Sequence, residues 1–263
     1  MNTRNRVAAV LLVCLLAFGV TACGSSNKGQ TPQEAYKAAI AKTNELSGMD
    51  AQMEMAMTMS DGTESMDITM DAALKIQDMN KETMVMDMKM DIGLMGMAMT
   101  MQTYYMDGYY LMETMGQKIK YAMSLEEAMG QTAMIQEIGA EALGEIEMSE
   151  ADGITTLSFE VDTAKMLEEG MMEEYMGMLE NLGLSGMDES GMTYESLNGT
   201  VTINKDGYIA SNAMHIGGSM EESGQKMDFT MDISVTFNNP GQDVTIDLPN
   251  ADDYMEVDPS MLG

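Results

Sequence analysis

Residues 51–60, Ala51-Gln52-Met53-Glu54-Met55-Ala56-Met57-Thr58-Met59-Ser60, carry a methionine at every second position, and the pattern recurs twice. Met84, Met86, Met88 and Met90 make a second run, and Met95, Met97, Met99 and Met101 a third. A period of two puts side chains on one face of a β-strand. In the first two runs the intervening residues are mostly Glu, Asp, Thr, Lys or Ala, so each strand has one greasy face and one wet face. Twelve exposed methionines would form an apolar patch well beyond the few hundred Å² usual on a soluble monomer. The pattern therefore predicts that they are buried inside a sheet.

Working outward, Asp61-Gly62 predicts a tight turn into a second strand, in which Met66, Ile68, Met70, Leu74 and Ile76 share a face. Met79-Asn80-Lys81 turns the chain into a third strand. Between Leu94 and Met95 the apolar parity flips, with Gly93 and Gly96 beside the flip, which predicts a turn. Asp107-Gly108 between Tyr104-Tyr105 and Tyr109-Tyr110 is a hairpin signal, and Gly116-Gln117 marks another turn before a strand from Ile119 to Met123. Further on, Glu145 to Met148 and Ile154 to Val161 form a hairpin over Ala151-Asp152-Gly153. Thr200 to Asn204, Tyr208 to Ile216 and Lys226 to Asn238 complete the strands, and Val244 to Leu248 is a short addition. In the last long strand Met227, Phe229, Met231, Ile233, Val235 and Phe237 alternate with polar residues throughout.

Helices interrupt this pattern in three places. Thr31-Pro32-Gln33-Glu34 is a capping box with proline at the first helical position. It opens a helix to about Ser47 with Ala35, Ala38, Ala39 and Leu46 as its stripe and Tyr36 and Ile40 alongside. Ser124-Leu125-Glu126-Glu127 opens a second, weakened by glycines, to about Leu143; a third is predicted over roughly Ala164 to Leu182. No β-α-β rhythm is present, so the sheet is expected to be antiparallel.

The N-terminus has a different character. Arg4 and Arg6 precede an apolar run from Val7 to Val20, too short for a stable transmembrane helix but right for the core of a secretory signal. Val20-Thr21-Ala22-Cys23 follows, then Gly24-Ser25-Ser26. This looks like the lipobox of bacterial lipoproteins, which implies cleavage before Cys23 and a diacylglycerol on its sulfur; an ordinary signal with a chance cysteine is the alternative. Residues 1–22 are read as the signal, 23–30 as a lipidated tether and 31–263 as one domain. Seven residues from Gly24 to Gln30 reach at most about 25 Å. Cys14 leaves with the signal, so no thiol remains for a disulfide or thiolate metal site. Location follows: the outer face of a bacterial cytoplasmic membrane, or facing the periplasm where an outer membrane exists.

Both arginines belong to the signal, and removing them from the 13 basic residues leaves 11, all lysine, against 43 acidic ones. A net charge of −32 repels phosphates, which excludes nucleic acid as a partner.

The Cys23 lipobox, the helix beginning Thr31-Pro32-Gln33-Glu34-Ala35, the Asp107-Gly108-Tyr109-Tyr110 hairpin, the Lys205-Asp206-Gly207 turn and the ending Asn239-Pro240-Gly241-Gln242-Asp243-Val244 together resemble one superfamily. It is that of the lipoprotein carriers LolA and LolB, with the LppX and LprG lipoproteins and related Gram-positive lipoproteins. The resemblance implies a LolA-like α+β fold, a strongly curved antiparallel half-barrel sheet wrapped around a few helices. It also implies an apolar cavity for lipid or acyl chains. One departure stands out: the carriers use arginine in gating or cargo contacts, and this mature chain has none.

Three functions fit the residues. In the first, Met53, Met55, Met57, Met59, Met84, Met86, Met88, Met90, Met97, Met99, Met227, Phe229 and Met231 line a cavity for an acyl chain, a lipid or another apolar molecule, since methionine repacks around irregular guests. The second gives the same sheet a filled core and a structural or partner-binding role at the cell surface. In the third the thioethers hold Cu(I) or absorb oxidants; cysteine and histidine normally accompany such sites, and His215 lies far from the runs. No nucleophile elbow, zinc-protease motif, phosphate loop or dinucleotide fingerprint occurs, and the acidic clusters lack calcium-loop spacing. The sequence thus points to a non-enzymatic protein with no cofactor and no metal site.

Overall fold

A computed structural model describes residues 29–79, 81–94, 96–131, 143–161, 192–222 and 225–258. Among them a single 12-stranded sheet dominates. The first helix, α1 (Pro32–Asn44), leads into β1 (Gly48–Ser60), β2 (Ser65–Gln77), β3 (Val85–Leu94), β4 (Met97–Met106), β5 (Tyr109–Thr114) and β6 (Gln117–Ala122). A second helix, α2 (Leu125–Gln131), precedes β7 (Leu143–Ala151), β8 (Ile154–Val161), β9 (Met192–Ile203), β10 (Ile209–Glu222) and β11 (Gln225–Phe237), and β12 (Met255–Glu256) comes last. The spatial order is β12-β6-β5-β4-β3-β2-β1-β11-β10-β9-β8-β7, an open curved sheet not closed into a barrel. Two meanders are joined where β1 pairs with β11.

The expected antiparallel α+β fold is present. The predicted third helix and residues 1–28, with the lipobox, lie outside the described residues, as do Asn80 and Met95. Every pairing from β1 to β11 is antiparallel; only β12 runs parallel, with Met255 beside Ile119 and Glu256 beside Lys120. Val244 to Leu248, expected to be a strand, forms no ladder. It runs past the sheet and buries Ile246.

The strand ends make two rims. On one, β1 turns into β2 through Asp61-Gly62, β3 reverses into β4 after Leu94, and β5 turns into β6 at Met115-Gly116. On the other, Asp107-Gly108 and Asp152-Gly153 make two-residue hairpins with positive φ at both residues, the primed turn whose twist matches its strands.

The capping box of α1 is formed: Glu34 N donates to Thr31 Oγ1 at 3.3 Å and Thr31 N to Glu34 Oε2 at 2.8 Å. Ala35, Tyr36, Ala39 and Thr43 are buried, but Ala38 of the predicted stripe is exposed, because the helix docks along a narrow line. Tyr36 packs on Phe159 of β8 with ring centroids 6.4 Å apart, and Ile209 N of β10 donates to Thr43 Oγ1 at 3.0 Å. These two anchors orient α1, its C-terminal end at the Asp107/Asp152 rim and its N-terminal end toward the Met115 rim.

β9 is longer than expected. Gly217 pairs with Ser196 and Gly218 with Tyr194, so Glu195 is an extra residue, a bulge that breaks the alternation. Across it, a Cβ on Gly218 would lie 2.9 Å from the Phe229 ring, and one on Gly199 2.6 Å from the Phe159 ring. Both rings lie over bare backbone, which explains two strand glycines that otherwise weaken a sheet.

Gly218→Ala is expected to destabilise the protein by about 1–3 kcal/mol, since the Thr193 carbonyl beside it is backbone and cannot yield. Urea unfolding checks this, and an unchanged midpoint would contradict the packing described. At the β1–β2 turn, Asp61 Oδ1 accepts from Glu64 N and Thr63 N at 2.8 Å and from Thr63 Oγ1 at 2.7 Å. The hydrogen bond from the Glu64 backbone, then those from Thr63, lower its pKa from 3.8 to about 2. A depressed folded pKa means that this stabilisation is present above 3.8 and lost as pH falls through about 2. A carboxyl chemical-shift titration is expected to find that midpoint, and one near 3.8 would show that the turn is not formed.

Candidate functional site

Register decides which side chains share the inner face. Across β11, β1, β2 and β3 three consecutive rows read Met231–Met57–Ile68–Leu94, Ile233–Met55–Met70–Ile92 and Val235–Met53–Ala72–Met90. Directly opposed residues sit about 4.5–5.5 Å apart at Cβ, so each row is a continuous apolar contact. β10 extends the rows with Met214 beside Ile233 and Ile216 beside Met231.

The predicted residues divide into two groups. Met53, Met55, Met57, Met84, Met86, Met88, Met90, Phe229 and Met231 are buried, and Met59 and Met227 are half-buried against them. Met97 and Met99 belong to the same face, opposite Leu94 and Ile92, but are 68% and 44% exposed. The expectation of burial therefore fails for Met97 and Met99, while Met101 of the same run packs partly buried against the core. The reason is position: Met97 and Met99 lie at the rim end of β4, where the face runs out from under its cover. Cys23 lies outside the described residues.

At the opposite rim the face is closed by aromatic side chains. Tyr105 pairs with Tyr110 and Tyr110 with Tyr121, the last two rings 5.5 Å apart. Burial raises the pKa of all three phenols. Sequence reading missed Asn212, which stands on the inner face between Val235 and Val201. Its Oδ1 is buried with no hydrogen-bond partner, a polar point in a mainly apolar wall.

His215 lies on the other side of the sheet from the methionines. Its Nδ1 donates to Asp232 Oδ1 at 2.7 Å, across β10 and β11. An open groove of 490 Å³ runs over this outer face, lined by Glu54, Asp71, His215 and Asp232 with Ala56 and Ala213 among its smaller walls. Among the described residues no group of three or more histidine, cysteine or acidic side chains is placed to hold a metal ion, and no helix is long and apolar enough to cross a membrane.

A family model described as a family of unknown function, DUF6612, matches residues 31–251. The chain belongs to that family. No curated protein sequence matches it. Among solved structures it is similar to LprF from Mycobacterium bovis, at 12% identity over 86% of this chain and 99% of that one, with a TM-score of 0.43. It is also similar to a DUF1329 family protein from Desulfovibrio piger, at 9% identity over 81% and 93% of the two chains, with a TM-score of 0.24. These are likenesses of fold alone; the sheet order and register carry the architecture by themselves.

The two groups of methionines are expected to respond differently to truncation. Met57→Ala leaves a cavity in the inner face and is expected to cost about 2–5 kcal/mol. Met97→Ala, at an exposed site, is expected to stay within about 0.5 kcal/mol of the parent. Denaturant unfolding of both compares them directly, and equal losses would contradict the burial described.

Proposed function

We propose that the protein is an extracytoplasmic lipoprotein, anchored through acylated Cys23, whose methionine face takes up an acyl chain, a lipid or another apolar molecule. The observation that carries the proposal is the unbroken run of apolar rows across β10, β11, β1, β2 and β3, in which half of the side chains are unbranched methionines. Each buried methionine contributes roughly 1.5–3 kcal/mol, and its flexible thioether fits irregular shapes at little cost in strain. Asn212 adds a second kind of support. A buried acceptor without a partner costs about 1–3 kcal/mol, and a hydroxyl or amide donor on a guest would relieve that cost. The acid-rich outer surface keeps the body of the protein off anionic headgroups while the tether holds it nearby. The role is one of binding, without catalysis.

A second reading keeps the anchor and makes the domain a filled structural module that meets a partner at the cell surface. Its support is the tight closure of Met57, Met70, Met86 and Met90, each no more than 3% exposed.

Native mass spectrometry of a form starting at Gly24 separates the two. The binding proposal expects a co-purified apolar mass and displacement by a fluorescent fatty acid; a bare protein that binds no such probe favours the filled module. Asn212→Leu is expected to stabilise the empty protein and to weaken retention of any guest that bears a hydrogen-bond donor, read by thermal unfolding and by the same spectra. Anchoring is tested separately: Cys23→Ser is expected to move the protein out of the membrane fraction with its fold intact, and a variant as firmly bound as the parent would refute acylation as the anchor.

A further inference from the structure

The Met115 rim of the sheet holds a group of exposed apolar side chains. Met97 is 68%, Met99 44% and Met115 89% exposed, on the β3–β4 and β5–β6 corners. Met97 and Met99 are continuous with the inner face, because Met97 pairs with Leu94, Met99 with Ile92 and Met101 with Met90. Met115 is also a break with local rules. It occupies the first position of a two-residue turn at φ 49, ahead of Gly116 at φ 80, where water-facing turns take Asn, Asp or Gly. The opposite rim obeys the rule, with Asp107 and Asp152 at the equivalent positions. Local rules fail most often where function intervenes.

What lies against this rim follows from where the chain leaves the domain. α1 runs from its Thr31 cap toward Ile209 at the far rim, so its N-terminal end lies on the Met115 side of the sheet. Seven residues span at most about 25 Å, which keeps that rim close to whatever holds Cys23. We infer that Met97, Met99 and Met115 form a lip that dips into the bilayer surface, so that the methionine face opens toward the lipid in which the protein is anchored. The occupant is a zwitterionic membrane surface, since a net charge of −32 opposes an anionic one. The inference rests on the reading of Cys23 as the acylated residue and names the surface from which that face would be filled.

The test uses the full acylated chain reconstituted in phosphatidylcholine vesicles. With the signal removed, Cys23 is the only cysteine and its sulfur is blocked, so Met97→Cys, Met115→Cys and, on the opposite rim, Glu82→Cys each introduce one free thiol for a polarity-sensitive dye. Dyes at 97 and 115 are expected to shift to the blue and to be quenched by doxyl-labelled lipid, whereas the dye at 82 reports water. Three dyes in water on an acylated, vesicle-bound protein would overturn the lip while leaving the anchor standing. A blue shift without lipid quenching that disappears on diluting the protein in the vesicles would mean that a second copy covers the rim, which also overturns the inference. Mass measurement of the N-terminal peptide separates these results from failure of the anchor: an unmodified Cys23 overturns both readings.

Discussion

The pairing of β1 with both β2 and β11 is the constraint on which the rest of the sheet depends. Its side chains alternate without interruption from Ala51 to Met59, and a slip of one residue would send Met53, Met55 and Met57 to water and bring Gln52, Glu54 and Thr58 inside. The apolar face of β1 thus sets the register of two neighbours at once. It also joins the ends of the domain: most other neighbouring strands are linked by short turns, but β1 and β11 are separated by nearly the whole chain. Closing that distance is the principal non-local step in an otherwise local meander.

An open sheet leaves two edges, and each is managed differently. At one, the two residues of β12 pair with β6, and Lys120 Nζ donates to the Ala251 carbonyl at 3.0 Å, fastening the C-terminal segment. At the other, β7 presents exposed Glu145, Glu147 and Glu150 on a strand whose middle buries Ile146. Like charges on an edge strand discourage pairing with a second molecule. The same acidic bias lines the outer groove, where Glu54 and Asp71 face each other across β1 and β2.

The inner face mixes methionines with branched residues such as Ile68, Ile76, Leu157 and Val201, and the chain has no tryptophan. Where rings do enter, as with Phe159 and Phe229, glycine on the adjoining strand makes room. Methionine fills the remainder because it meets an irregular opposing surface without a fixed shape of its own. Such a face conforms to whatever packs against it. Closure by tyrosines at one rim and exposed methionines at the other give it a direction.

Much of this was legible in the sequence. The period-two runs, the Asp-Gly turns and the Thr31 capping box are local features whose physics involves only neighbouring residues, so they determined β1 to β6, β8, β11, the antiparallel arrangement and the start of α1. The same letters did not reveal the front half of β9, because the bulge at Glu195 hides its alternation, nor the far half of β10, where Gly217 and Gly218 are explained only by Phe229 on the next strand. Met97 and Met99 repeat the alternation of Met86 and Met88 yet lie in the open, since a period of two assigns a residue to a face and says nothing of what covers that face. Asn212 became notable only when its buried oxygen was seen to lack a donor. The sequence by itself determined the strands and their faces, because those depend on backbone geometry and short-range chemistry. Tertiary structure alone decided which part of the methionine face is sealed, which part is exposed and on which rim, because cover is supplied by residues far away along the chain.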